Sequence, residues 1–298
     1  MATAKKTSSK KKTTTKKSAS ASASKKKTAS KKVAAPKKST AKATPMVTFE
    51  KLYKFNMFAA VAYLGFAVLS VIFLSNTSVN LLFAHSTKDE LAATEDTLGP
   101  AFTNVLNIEV RYLLAVVFGL SAIFSILLAT KLRSRYEKGV SAKVSSLRWI
   151  FLGISSALTL EIVSVLGGVT EMAALKMIAG LILVTSILGL LSEAQNKNNQ
   201  KQFSLFYLSL FTGFLAWIPL ISGLIGTGLF GIQNFSWYVY VLAAVVLTGF
   251  INIALIQYRY IKTGANTSQY LDVEGKYVST DFLIKLAVFV ITFIAFYK

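Results

Sequence analysis

Seven stretches of about twenty predominantly apolar residues recur along this chain, at roughly 54–75, 109–130, 148–168, 171–192, 204–226, 235–258 and 277–297. Each is long enough to cross ~30 Å of hydrocarbon as a helix. Helix is the only open conformation, because backbone groups in lipid must find their hydrogen-bond partners within the segment. The fold class expected is therefore an all-α membrane protein, a seven-helix transmembrane bundle. Composition agrees: of 298 residues, 53% are hydrophobic and 15% charged, well short of the ~25% charged usual for soluble domains. Gly167, Gly168 and Thr170 leave a very short turn between the third and fourth spans, which makes those two antiparallel neighbours.

A different chemistry precedes the bundle. Residues 1–44 hold fifteen lysines and no acid, set among Ser, Thr and Ala, and account for most of the formal net charge of +20. Such a tract buries too little apolar surface to offset its ordering entropy, so residues 1–47 read as a disordered tail and 48–298 as the membrane domain. No apolar run follows the charges until about Phe55, so the tract does not read as a signal peptide. Lysines in twos and threes without aromatics suit phosphate, whether anionic lipid or nucleic acid, and offer no base readout.

The flanking charges orient the spans. The loop after the second carries Lys131, Arg133, Arg135, Lys138, Lys143 and Arg148 against Glu137. Lys197 and Lys201 stand against Glu193 after the fourth, and Arg259 and Lys262 follow the sixth. On the other side, residues 76–108 set Lys88 against Asp89, Glu90, Glu95 and Asp96. The basic loops share a side with the lysine tail, which predicts a cytoplasmic amino terminus and an external carboxyl terminus. Asn76-Thr-Ser78 is then a glycosylation pattern on the outer side.

The absence of cysteine excludes disulfides, thiolate metal sites and cysteine nucleophiles, and a single histidine, His85, argues against histidine-based metal or triad chemistry. The candidate functional groups are instead charges at membrane depth. Lys285 lies about nine residues into the last span, ~13 Å along the helix and near mid-membrane. A buried lysine can capture an aldehyde as a Schiff base; it can also snorkel or face water. Asp281, four residues earlier, shares its helix face and can neutralise it, or is a helix-start acid. Glu161 and Lys176 fall at matching depth on adjacent spans, as an ion pair or a step on a proton path. Glu109 and Arg111 are expected as interface anchors.

Leu52, Phe55, Asn56, the run Phe118-Gly-Leu-Ser-Ala-Ile-Phe124, Arg135-Tyr136, Arg148-Trp149, Ser155-Ser156, Trp217-Ile218 and Ala254-Leu-Ile-Gln-Tyr258 occur in an order and spacing similar to those of the heliorhodopsins. Over about residues 50–298 the chain resembles that family, which shares the inside amino terminus and the lysine in the last helix. The resemblance implies a rhodopsin-like fold, retinal bound covalently to Lys285, a light-driven photocycle, a homodimer and a cytoplasmic signalling partner. It implies no enzyme. Phe151, Ser155, Thr159 and Trp217 would then line the polyene.

Two departures matter. Where the family carries its counterion glutamate, two residues after Arg-Trp, this chain has Phe151; where it has serine, four before the lysine, this chain has Asp281. Two family histidines align with Tyr63 and Ser125. The carboxylate expected to balance Lys285 is therefore Asp281. The readings carried forward are a retinal photoreceptor or light-gated proton conductor, a transporter or channel-like protein without chromophore, and a structural membrane protein with a phosphate-binding tail.

Overall fold

A computed structural model describes residues 47–88, 98–231 and 234–298. The lysine tail and the acidic residues Asp89, Glu90, Glu95 and Asp96 lie outside the described residues. Among the described residues, seven helices are long and apolar enough to cross a membrane: α1 (Phe49–Phe73), α2 (Val110–Ala129), α4 (Ser146–Leu166), α5 (Met172–Asn196), α6 (Ser204–Phe230), α7 (Trp237–Thr263) and α8 (Thr267–Phe296). The short amphipathic α3 (Arg133–Ser141) connects α2 to α4. The chain is thus an integral, multi-pass membrane protein whose helices contact the lipid bilayer.

Each expected span is found, and the differences are at the ends. The last begins at Thr267 rather than about 277, behind a capping box in which Asn266 and Gln269 satisfy each other's backbone N–H groups. The first turns of α8 read as loop because their inward residues, Tyr270, Glu274 and Tyr277, are polar. At the start of α1, Val47 N donates to Asp272 Oδ1 at 2.9 Å, tying that residue to α8.

One departure from all-α stands among the described residues. Between α1 and α2, strands β1 (Ser78–Lys88) and β2 (Leu98–Glu109) form an antiparallel hairpin with an irregularity between Leu81 and Leu82. It is anchored on the turn before α5, where Leu82 N donates to Thr170 O at 2.9 Å. That turn is as tight as expected: Gly168 takes φ +84°, which a side chain would strain.

Sidedness of the helices follows the solvent they meet. Phe58, Val61, Leu64, Phe211, Phe214 and Ile251 point outward, an apolar shell that suits lipid. Inside, Leu114, Phe118, Leu160, Val163, Ile178, Leu220, Leu242 and Val246 pack as one core. α4 is the most enclosed helix, in contact with α2, α5, α6 and α7. A residue on α4 therefore faces the interior almost wherever it points, and the candidate sites gather around it.

Candidate functional site

On α8, Glu274, Tyr277, Asp281 and Lys285 are spaced by three, four and four residues and so share one face. Lys285 is 1% exposed, and its ammonium is bound by Asp281 Oδ1 and by Ser155 Oγ, the latter at 3.2 Å. The other Asp281 oxygen accepts from Tyr63 OH of α1 at 3.2 Å. The Tyr63 ring centroid is 5.4 Å from Lys285 Nζ, near enough for a cation–π contact. A lone buried ammonium would cost several kcal/mol; here an anion, a hydroxyl and a ring surround it.

A cavity of about 50 Å³ opens beside this pair, lined by Ser121, Ser125, Phe151, Ser155, Asp281 and Lys285, among others. Phe151 stacks on Phe124 of α2 at 4.4 Å and 3°, closing one wall with hydrocarbon. A second cavity, about 290 Å³ and mostly apolar, lies among α4, α5, α6 and α7 and is lined by Trp149, Ser156, Trp217 and Phe250, among others. Leu152 borders both.

Ser125, Phe151, Ser155, Asp281 and Lys285 therefore come together around one cavity, with Tyr63 attached through Asp281. Trp217 belongs to the neighbouring cavity. Thr159 lines neither of these two: its hydroxyl donates back to Ser155 O at 2.7 Å, within its own helix. Glu161 and Lys176 form no ion pair; Leu175, Ile178 and Ile182 take the inward stripe of α5 and leave Lys176 exposed. Glu109 and Arg111 do pair at the start of α2.

Two charges counted with the loops prove to be interior. Arg148 bridges Glu193 of α5 and Glu274 of α8, at 2.6 Å each, and all three are buried. Tyr136, Ser145 and Trp149 complete the cluster, and Arg148 and Tyr277 also border the small cavity. Burial pushes the Tyr136 phenol well above its ordinary pKa, so it stays protonated. Glu274 escaped sequence reasoning because it lies ahead of the apolar run; the capping pattern at Asn266 was the signal that could have placed it on a helix.

Seven apolar helices, a paired lysine buried in the last of them and an adjoining apolar cavity agree with the comparison to known families. The family model described as Heliorhodopsin matches residues 52–295. No curated protein matches the chain. The match reaches into every spanning helix and takes in the lining of both cavities, and the chain belongs to the heliorhodopsin family of retinal-binding, rhodopsin-like membrane photoreceptors.

Proposed function

We propose that this protein senses light through retinal held covalently on Lys285 as a Schiff base, with Asp281 as the counterion. One observation carries the proposal: the primary amine of Lys285 is buried mid-helix, paired with a carboxylate, beside a cavity that shares Leu152 as a wall with a larger apolar one. The larger cavity, about 290 Å³, is at the lower end of the roughly 300–1,000 Å³ usual for small-molecule pockets. When bound, retinal supplies light absorption and photoisomerisation.

The chain's own residues supply the rest. Lys285 anchors, and Asp281 offsets a positive charge that hydrocarbon would otherwise expel. Tyr63 fixes the Asp281 carboxylate, and Ser155 accepts from the lysine nitrogen. Phe151 and Ser125 wall the attachment point, while Trp149 and Trp217, the latter edge-on to Phe250 at 5.7 Å, flank the apolar end. The amino terminus and the basic loops face the cytoplasm, where the signalling partner binds. The working unit is a homodimer, and the lysine tail contacts anionic lipid or nucleic acid.

Purification with all-trans retinal tests the attachment. The expected result is an absorption band shifted from that of free retinal and lost in Lys285→Ala. A band unchanged in that variant, or no band in the wild type, overturns the proposal in favour of a structural Lys285–Asp281 pair.

A further inference from the structure

The buried cluster next to this site has a charge imbalance. Glu193 and Glu274 are each 0% exposed and share one cation, Arg148. No other ion pair reaches either of them among the described residues. The groups facing them are Tyr136 from α3, Ser145 and Trp149 at the start of α4, Tyr260 from α7, and Tyr270 and Tyr277 from α8, with Asn56 and Gln257 bonded in turn to Tyr136 and Tyr277. None of these is a second cation. Two carboxylates on one guanidinium leave a net negative charge in the buried interior, which one proton removes.

Hydrogen-bond chemistry decides where that proton sits. Glu193 Oε1 accepts from Arg148 Nη2 at 2.6 Å; its Oε2 accepts from Trp149 Nε1 at 2.9 Å and Ser145 N at 3.1 Å. All three are obligate donors, so a proton on either oxygen would meet another hydrogen. The hydroxyl that bonds Glu193, that of Tyr270, already accepts from Ser145 N at 3.2 Å, leaving its O–H to donate.

Glu274 differs. Its Oε2 takes Arg148 Nη1 at 2.6 Å, but Oε1 faces only the hydroxyls of Tyr136 at 2.6 Å and Ser145 at 3.0 Å. A hydroxyl can turn and accept. Asn56, whose side-chain amide also bonds Tyr136, can turn its carbonyl toward the phenol to take that proton in turn.

We propose that Glu274 is a neutral carboxylic acid in the resting protein, protonated on Oε1, and serves as a proton store for the Asp281–Lys285 pair. Glu274 precedes Asp281 by seven residues on the same face of α8, about 10 Å. Arg148 and Tyr277 border the intervening cavity, whose roughly 50 Å³ admits a water. When that pair loses a proton, the O–H bond of Glu274 breaks and a new bond to hydrogen forms on the pair. Glu274 is then a carboxylate whose hydrogen bond from Arg148 is already in place. The storage role rests on the function proposed above; the resting protonation does not.

Infrared spectroscopy of the retinal-free full chain at neutral pH, joined to thermal unfolding, tests the resting state. A carboxylic-acid carbonyl band should be present, vanish in Glu274→Gln and shift in Tyr136→Phe. Glu274→Gln should melt near the wild type, because its amide donates to Tyr136 or Ser145 while its oxygen accepts from Arg148. Glu193→Gln should melt lower, because its amide must face an obligate donor in either orientation. A band unmoved by Tyr136→Phe, no band in the wild type, or equal melting of the two glutamine variants overturns the assignment. In retinal-loaded protein the same band should bleach or shift on illumination; a band indifferent to light overturns the storage role. If no chromophore forms, the proposed function fails while the retinal-free spectra still decide Glu274.

Discussion

Asp281 is the residue on which the proposed counterion rests. A positive charge on Lys285 persists at membrane depth only beside an anion, and Phe151, which lines the same cavity, is hydrocarbon stacked on Phe124. Asp281 supplies the charge from one turn away on the same helix, with Tyr63 holding its second oxygen. Asp281→Asn should move a visible chromophore band to the near ultraviolet at neutral pH, since removing a nearby opposite charge favours the neutral nitrogen. Phe151→Glu in that background should restore visible absorption, because position 151 lines the same cavity as Lys285. An Asp281→Asn protein with the wild-type spectrum and pH titration would place the counterion elsewhere. The Lys285–Asp281 contact was readable from spacing alone, since residues four apart on a helix are neighbours. The Tyr63 contact was not: it depends on how α1 lies against α8, and nothing local in either segment encodes that.

Among the elements, hydropathy located the helices and failed wherever burial is achieved by polar pairing. The first three turns of α8 bury Tyr270, Glu274 and Tyr277 beside Arg148 and Glu193 as well as against apolar neighbours. A hydropathy scan passes over them and counts Arg148 and Glu193 as loop charges. The hairpin was equally hidden, for its strands join residues up to 31 apart, from Ser78 to Glu109, without a two-residue turn to announce the pairing. Close packing between elements gives a direct test. Gly189 of α5 lies against the Trp149 ring of α4: a Cβ there would come within 2.6 Å of it. The ring is held by its N–H bond to Glu193 at 2.9 Å, so it has little room to yield. Gly189→Ala should destabilise by about 1–3 kcal/mol, the usual cost of overpacking. Gly180→Ala, where no atom lies within 4 Å of the added Cβ, should cost nothing, since alanine is the better helix former. Thermal unfolding of both variants in one detergent decides it, and equal midpoints would contradict the rigid α4–α5 contact.

For the whole molecule, orientation is the property on which any signalling role depends. The buried positions of Arg148 and Glu193 remove one charge of each sign from the loop tally. Lys131, Arg133, Arg135, Lys138 and Lys143 against Glu137 still make the α2–α4 connection basic, and Lys197, Lys201, Arg259 and Lys262 stand on the same side. Seven crossings place the two ends of the bundle on opposite faces, and by the positive-inside rule the basic tail and basic loops both favour the cytoplasmic amino terminus proposed above. A carboxyl-terminal tag should therefore be reached by antibody on intact cells, and residues 131–145 should be cleaved only after permeabilisation. A tag protected in intact cells would invert the molecule. The tail adds its own expectation: lysine contacts with an anionic surface contribute at most roughly 1 kcal/mol each and fade within a Debye length, about 8 Å at physiological salt. Removing residues 2–44 should then weaken membrane or nucleic-acid association in a salt-dependent way while leaving the melting temperature and any retinal spectrum unchanged. The bundle's first cap, Thr48 accepting from Lys51 N at 3.2 Å, and the Val47–Asp272 bond lie beyond that deletion. A truncated protein that melts lower or absorbs differently would make the tail part of the fold.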